Sequence, residues 1–397
     1  MINKNNFSLA DTHSRSLSVI LSLWVYIYAF FYFIPLIIPS NTLLMYAFLL
    51  IMAVLVVMNT VKLRTGLILF VGAYVLLAVI NIIVVSYTYY AAVDAFSGLA
   101  VFLPALLVIS SDNFNLRDFT AVWRKGAILA TVVSPVAIAL MQSKTIDYGV
   151  FTYLNLPNVV IFSYLTSVEK NRKSLRLYYF LAFVNFFIIL LFGGRMAALA
   201  AAFSIFMGFM ISVNIKPWKK FTAVVFISAA IVMLFAYLEE VLNVVNLVLD
   251  KFNLSSRSVA LLLEQIRSNA VEIYLSGRNV IYEDTIKYIL SRYGLPGGFG
   301  VNLAISDGKY YHPHNLFLQL TVLVGVIGMI LFFVAVITRL VRQKRLCDKD
   351  EYNFIVLLLA DYILISLSGG SILTNYVAII GFGMLFFYKK DEVLKPR

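Results

Sequence analysis

The sequence predicts an all-α polytopic membrane protein. Of its 397 residues, 61% are hydrophobic and only 13% are charged, and the mean hydropathy is +0.90. A water-soluble fold cannot cover that much apolar surface with polar side chains, so the composition excludes soluble globular proteins. Runs of about 18 or more apolar residues recur along the chain, which is typical of helical spans and not of the alternating strands of a membrane barrel.

The apolar runs predict about 12 transmembrane helices, separated by polar turns or short basic loops. Pro157 stands just before the sixth run, so that span is either short, begins earlier, or is a broken helix. The runs cover approximately residues 17–38, 43–61, 66–86, a fourth ending near 109, 126–141, 158–168, a seventh ending near 192, an eighth ending near 213, a ninth ending near 238, 315–337, 354–367 and 373–387.

One large loop, residues 239–313, lies between spans nine and ten and divides the chain into three parts. We therefore expect nine helices in residues 1–238, the large loop, and three helices with a tail in residues 314–397. Apolar residues recur through the loop at helical spacing, so it is expected to be folded. Val241, Val245, Val248 and Leu249 predict a first loop helix lying near the bilayer surface.

Two further helices are expected in this long loop. Ser255 or Ser256 is a suitable N-cap for the second, and Ser276 for the third, which Gly294 would end. Helices lying at the outer bilayer surface would roof a cavity between the spans.

The distribution of basic residues predicts the orientation of the chain. Clusters of Lys and Arg lie at the N-terminus, after spans two, four, six, eight and ten, and at the C-terminus, whereas the turns after spans one, three and eleven contain none. The positive-inside rule places both termini in the cytoplasm and the long loop on the opposite side. Most of the residues behind the net charge of +12 then lie in loops that contact anionic lipid headgroups. No nucleic acid partner is therefore expected.

The ends and the cysteine content add two smaller expectations. No convincing cleavage site follows the first span, which we interpret as an uncleaved anchor. The single cysteine, Cys347, excludes an internal disulfide.

Two arginines are the first candidates for chemistry. Arg195 follows Gly193 and Gly194 in a turn between two spans, too short to reach far into water. An arginine at membrane depth faces a cavity or a charged partner, unless it extends to a lipid phosphate. Arg278 lies in the first turn of the third loop helix, where the helix dipole disfavours a cation unless an anion binds there. Its alternative is a solvated side chain paired with Glu283 or Asp284.

Two histidines stand together at the entrance to the tenth span. His312 and His314 flank Pro313, and either could accept a proton or donate to an anion. No cysteine or carboxylate stands at ligand spacing, so no metal site is expected. Asp361, within the eleventh span, requires a partner; it is either packing polarity or the partner of an arginine.

These residues resemble the O-antigen polymerase and ligase superfamily. The resemblance consists of Gly194 and Arg195 in a turn, Ser276 to Arg278 at a helix start, glycines between residues 294 and 300, and His314 and Asn315 followed by Gly325 and Gly328. Members are bacterial envelope glycosyltransferases that act on undecaprenyl-pyrophosphate-linked sugars. The resemblance implies a GT-C-like fold in the inner membrane, with the long loop and the active site on the periplasmic face.

The resemblance also implies residue roles. Arg195 and Arg278 would hold the donor pyrophosphate, and His314 would position or deprotonate the acceptor hydroxyl or contact the phosphate. Transfer would be metal-independent, without a cofactor, and would invert the anomeric configuration. A chain-length regulator and a flippase of the same pathway are implied as partners. The implied sugar or phosphate contacts are His312, Asn315, Tyr310, Tyr311, Arg292 and Lys309.

Three functions remain open at this point. A polymerase passes the growing glycan to another lipid-linked repeat unit, and we favour it because the composition is typical of polymerases. A ligase would pass the glycan to the lipid A core. A lipid-linked oligosaccharide flippase is the non-enzymatic alternative, but it would be expected to have charges along its central spans and only short loops.

Overall fold

The computed structural model describes residues 9–33, 51–52, 54–59, 64–143, 149–212, 215–268, 278–367 and 376–388. Every regular element within these ranges is a helix. The first nine are α1 (Leu9–Val25), α2 (Ile27–Phe33), α3 (Thr65–Val84), α4 (Thr88–Ser110), α5 (Leu116–Gln142), α6 (Gly149–Val168), α7 (Arg172–Phe192), α8 (Arg195–Ile211) and α9 (Pro217–Ala236).

Seven more helices lie in the described residues of the long loop and the C-terminal part. Most of the predicted second span, and the predicted cap Ser276, lie outside the described residues. The seven helices are α10 (Leu238–Lys251), α11 (Arg257–Ser268), α12 (Arg278–Ser291), α13 (Val301–Ile305), α14 (Leu316–Leu346), α15 (Lys349–Ser366) and α16 (Tyr376–Phe386).

Five of these helices, α3, α4, α5, α7 and α14, are long and apolar enough to cross a membrane. Helix α3 exposes large apolar side chains along its whole length, including Leu69, Leu76 and Ile83. Such a surface requires lipid around it, because soluble proteins do not expose continuous apolar faces of this size. The prediction of an all-α, multi-pass membrane protein is confirmed, whereas the count of 12 spans and the GT-C-like fold stay predictions.

The helix at the sixth predicted span begins before Pro157. Helix α6 begins at Gly149 and continues to Val168, with Pro157 inside it. It is buried along almost its whole length, and it packs against α2, α7 and α8. Neighbouring helices can accommodate a proline inside a membrane helix. Of the three alternatives left open for this segment, the structure shows the one in which the helix begins before Pro157.

The chain forms two compact units. The first contains residues 1–25, 42–123 and 277–397, and the second contains residues 26–41 and 124–276. In the first unit, α4 packs against α1, α3, α13 and α16, and α16 also packs against α14 and α15. Phe119, Trp123 and Phe354 form an aromatic core there, with ring centroids 5.3–6.4 Å apart.

The second unit is organised around α6 and a buried polar network. Tyr26 donates to Asn158 Oδ1 (2.6 Å), Asn158 donates to Asn185 Oδ1 (2.8 Å), and Asn185 donates to Thr131 Oγ1 (2.9 Å). Interhelical hydrogen bonds of this kind hold membrane helices together where there is no hydrophobic driving force between them. The network therefore fixes α2, α5, α6 and α7 relative to one another.

Small residues allow α8 to approach α6 closely. Its buried face consists of alanines, Ser204 and Gly208. A Cβ atom added at Gly208 would lie 2.4 Å from the carbonyl oxygen of Ser163, which is backbone and has no room to move. The small side chains let the two backbones meet, as is typical of membrane helix pairs.

Replacing Gly208 with alanine should therefore destabilise the second unit. Gly208→Ala is expected to lower the unfolding free energy by about 1–3 kcal/mol through overpacking, despite the higher helix propensity of alanine. Gly72→Ala in α3 is the matched control, because a Cβ there meets nothing within 4 Å. Thermal unfolding in detergent would measure both. Equal melting temperatures for the two variants would contradict this packing.

Candidate functional site

Three of the predicted site residues lie at adjoining parts of the first unit. Helix α12 packs against α14, and Arg278 is its first described residue. One turn later, the hydroxyl of Tyr282 donates a long hydrogen bond of 3.4 Å to the carbonyl oxygen of His314. Residues four apart share one face of a helix, so Arg278 lies on the face of α12 that meets the turn of His312 and His314.

The alternative partners proposed for Arg278 are otherwise engaged or exposed. Glu283 forms an ion pair with Lys287 at 2.6 Å, and Asp284 is exposed. The hydrogen bond from Lys287 holds the pKa of Glu283 below its usual value. Within the described ranges, no ion pair involves Arg278. Arg278 itself is half-buried.

The two histidines contact each other. Their ring centroids are 4.3 Å apart in an edge-to-face arrangement, and Pro313 between them is buried. Both ring nitrogens of His312 and Nδ1 of His314 are inaccessible to solvent. His314 has a φ of +53°, a left-handed conformation that is uncommon for residues other than glycine and occurs often at functional sites. The turn holds the pair of rings in one defined place.

Asn315 has a structural role that the sequence did not predict. Its side-chain oxygen accepts from the backbone N–H groups of Phe317 (3.0 Å) and Leu318 (3.1 Å), which makes it the N-cap of α14. Caps of this kind contribute about 1 kcal/mol and fix the direction in which a chain enters a helix. Asn315 therefore fixes the position of the preceding His314.

The glycine-rich loop, residues 294–300, is inserted into a break in α14. Gly325 has φ 78° and ψ 170°, which interrupts the helix. In a regular helix the Val326 N–H would donate to the Val322 carbonyl; here Val326 donates to Gly294 O (3.0 Å), and Gly297 donates to Val322 O (2.7 Å). The inserted loop thus satisfies both backbone groups that the break releases.

Helices α3 and α4 hold the other side of this loop. Tyr87 donates to Gly297 O at 2.7 Å, and a carboxylate oxygen of Asp94 accepts from Gly300 N at 2.8 Å. Burial raises the pKa of Tyr87 above its usual value, so its hydroxyl remains a hydrogen-bond donor even in alkaline solution. Phe299 packs with Ala78, Ala91 and Ala95. The loop is therefore fixed on all sides within the first unit.

Helix α12 separates Arg292 from Arg278. The helix ends at Ser291, and Tyr293 and Gly294 follow with positive φ, as expected for a stop at Gly294. Fourteen helical residues extend about 20 Å, so Arg292 lies far from Arg278 and stacks over Tyr288, 5.9 Å from the ring centroid. The structure thus places this predicted substrate contact at the glycine-rich loop and not beside the histidines.

The remaining predicted contacts lie on the surface after α13. Lys309, Tyr310 and Tyr311 are exposed, and the backbone N–H of Tyr310 donates to Ser306 Oγ. They follow Gly308, where an added Cβ would lie 3.1 Å from the hydroxyl of Tyr90. These side chains therefore border the same glycine-rich region as Arg292.

Arg195 belongs to the second unit and has a well-defined environment there. It is the first residue of α8, with Gly194 as N-cap, and its Nη1 donates to the Oε1 of Gln265 at 2.7 Å. Gln265, on α11, is only 2% exposed. Two serines also attach α11 to the preceding turn: Ser256 donates to Leu191 O, and Ser258 donates to Gly193 O at 2.7 Å.

Two features of the loop helices in the second unit can be compared with the prediction: the cap of α11 and the exposed face of α10. Ser256, one of the two expected caps, accepts from Val259 N at 3.2 Å at the start of α11. Helix α10 buries Leu242 and Leu249, whereas Val241, Val244 and Val248 are exposed. An exposed apolar stripe on an otherwise polar helix supports its expected position at the bilayer surface.

The comparison with known families gives the decisive observation. Residues 180–333 match the family model described as O-antigen ligase. This match supports membership of the chain in the O-antigen polymerase and ligase superfamily. The matched segment begins within α7, ends within α14, and includes Arg195, Arg278 and His314 together with the whole long loop. No curated protein and no solved structure matches the chain.

The sequence analysis did not identify several residues that the structure places in or beside the candidate site. Asp94 could have been found, because an ionisable residue in an apolar run is rarely without a role. Tyr282 follows Arg278 by four residues, and Gln265 follows Ser258 by two helical turns, so both were accessible to helix periodicity. Asp361, whose role was left open, is fully buried in α15. Among the described residues, no cluster of three or more potential metal ligands occurs.

Replacing Gly325 should release the inserted loop. Gly325→Ala places a side chain in a conformation that costs about 1–3 kcal/mol, with its Cβ 3.0 Å from Gly294 O and from Pro296 Cδ. We expect faster amide hydrogen exchange across residues 294–300, measured by mass spectrometry. Gly66→Ala is the control, since a Cβ there meets nothing within 4 Å. Unchanged exchange in Gly325→Ala would refute the insertion.

Proposed function

We propose that this protein is an O-antigen polymerase of the bacterial inner membrane. It would join undecaprenyl-pyrophosphate-linked oligosaccharide repeat units at the periplasmic face, with both termini in the cytoplasm. The observation that carries the proposal is the superfamily match over residues 180–333, because that segment contains the long loop and all three candidate catalytic residues. The position of Arg278 on the face of α12 that meets the His314 turn supports a common site for these two residues.

The proposed reaction is a single inverting transfer. A hydroxyl of the acceptor repeat unit attacks the anomeric carbon of the donor glycan from the face opposite the leaving group. The new glycosidic C–O bond forms as the bond to the lipid pyrophosphate breaks. The hydroxyl proton passes to His314 or to a phosphate oxygen, and undecaprenyl pyrophosphate leaves with the bonding electron pair. Every atom of the two substrates is then accounted for in the products.

The arginines would lower the activation barrier of glycosyl transfer by stabilising negative charge. Negative charge grows on the pyrophosphate as its bond to the sugar breaks, and a positioned guanidinium stabilises that charge most strongly in the transition state. Arginine presents planar paired donors that match phosphate oxygens. The first turn of a helix adds free backbone N–H groups, which favours an anion where α8 begins at Arg195. No divalent metal is required for this stabilisation.

The exposed residues near the glycine-rich loop would contact the glycan. Tyr310 and Tyr311 offer exposed rings and hydroxyls, and Arg292 and Lys309 offer donors. Arg292 would bind a sugar away from the reacting bond, since it lies about 20 Å along α12 from Arg278. Tyr310 and Tyr311 would bind closer to it, since they directly precede His312 in the chain. A chain-length regulator and a flippase of the same pathway are the expected protein partners.

The choice of acceptor distinguishes the polymerase from the ligase. Purified protein would be supplied with a synthetic lipid-pyrophosphate repeat unit, alone or together with lipid A core. A polymerase gives regularly spaced products from the repeat unit alone. Transfer only when lipid A core is present would identify a ligase and reject our assignment. Movement of the lipid across vesicles without any product would identify a flippase.

Substitutions test the residue roles separately. Arg195→Ala and Arg278→Ala should each reduce polymer formation by about 100-fold or more, as expected for loss of transition-state charge stabilisation. His314→Ala should reduce it strongly as well. Arg172→Ala is the matched control, because Arg172 also begins a helix but is exposed and is predicted to be cytoplasmic. Polymer length on gels, with insertion checked by immunoblot, is the measurement. Wild-type chains in the two arginine variants would overturn the site assignment.

A further inference from the structure

Gln265 is a buried polar residue on α11, a helix that two serines attach to the turn before α8. Its side chain is 2% exposed, and its Oε1 accepts from Arg195 Nη1 at 2.7 Å. Burying an amide is unfavourable unless its hydrogen-bonding groups are satisfied. The contact with Arg195 satisfies the acceptor.

The attachments of α11 give this contact a defined geometry. Ser258 and Gln265 are seven residues apart, which is two helical turns, so both side chains project from one face of α11. Ser258 bonds to Gly193 O, immediately before the turn residue Gly194, and Gln265 bonds to the residue immediately after it. This face of α11 therefore holds both sides of the turn between α7 and α8.

The chemistry of the partner matters as much as its position. A carboxylate at residue 265 would also bind a guanidinium, but it would offset the positive charge that an anionic ligand needs. An amide oxygen accepts one N–H without bringing a negative charge of its own to the site. Because the guanidinium is planar and its five donors are fixed in that plane, one directed hydrogen bond restricts the orientation of the other donors.

We propose that Gln265 is a positioning residue for Arg195, orienting its guanidinium towards the pyrophosphate of the lipid-linked donor. The inference rests on the proposed function, in which Arg195 binds that pyrophosphate. It gives the long loop a direct part in donor binding, since α11 lies within residues 239–313. Gln265 need not touch the substrate, because it acts through Arg195.

A double-mutant cycle on donor binding tests this role. The probe is undecaprenyl pyrophosphate without sugars, titrated against the full-length protein in detergent or nanodiscs. Gln265→Ala should weaken binding by about tenfold, the size of one hydrogen bond to a charged group. Arg195→Ala should weaken it further, and the double variant should bind no more weakly than Arg195→Ala alone. Glu264→Ala, an exposed neighbour on α11, should bind like the wild type.

An isosteric substitution keeps the test meaningful if alanine disturbs α11. Gln265→Glu retains the size of the side chain and forms an ion pair with Arg195. A merely structural contact would be preserved or strengthened, with wild-type binding of the probe. Positioning of a charged ligand site instead predicts that Gln265→Glu weakens binding by more than Gln265→Ala does.

The outcomes separate the two levels of the argument. Wild-type binding in Gln265→Glu, or additive losses in the double variant, would overturn the positioning role while leaving Arg195 in the donor site. Wild-type binding in Arg195→Ala would instead overturn the proposed function of Arg195, whatever the Gln265 variants do.

Discussion

The exchange of backbone hydrogen bonds between the glycine-rich loop and α14 is the constraint on which the first unit depends. A helix broken inside a membrane leaves N–H and C=O groups that water cannot reach, at a cost of several kcal/mol each. Here the carbonyl oxygen of Gly294 accepts from the N–H of Val326, and the N–H of Gly297 donates to the carbonyl oxygen of Val322. In a regular helix, Val326 and Val322 would have bonded to each other. The loop is itself held by Tyr87 and Asp94. Helix α12 ends just before this loop and α14 contains the break, so the loop holds the two helices against each other. Tyr282 of α12 thereby reaches the backbone of His314.

Arg195 and Arg278, which lie in separate units, are both positively charged residues at the start of a helix. Each stands in the first turn of a helix as the structure describes it, where the helix dipole disfavours a cation by a few tenths of a kcal/mol or more. Arg195 donates a hydrogen bond to the amide oxygen of Gln265, and Glu283, the carboxylate nearest to Arg278 in sequence, is paired with Lys287. A cation in the first turn of a helix is stabilised when an anion binds there, and the pyrophosphate of the proposed donor is an anion.

Much of this could be predicted from the sequence, because long apolar runs and glycine positions report strong physical constraints. The membrane class, the three loop helices, the cap at Ser256 and the stop at Gly294 follow from hydropathy, capping and backbone freedom. The pairing of Gly294 and Gly297 with the break at Gly325 could not be predicted, because backbone exchange between distant segments leaves no local pattern. The same holds for the partners of Arg195 and the face of α10 that is buried, which depend on how helices pack. The sequence could not decide among the three alternatives for Pro157, because the effect of a proline depends on the helices packed around it.

The central claim is that arginines and a histidine, without a metal ion, transfer a glycan from a lipid pyrophosphate. The most direct measurement is polymer formation by purified protein from a synthetic lipid-linked repeat unit in the presence of EDTA, with products separated by size. The account predicts a ladder of regularly spaced products that EDTA does not reduce and that disappears in His314→Ala. A ladder that requires added divalent metal, or one that persists unchanged in His314→Ala, would contradict it.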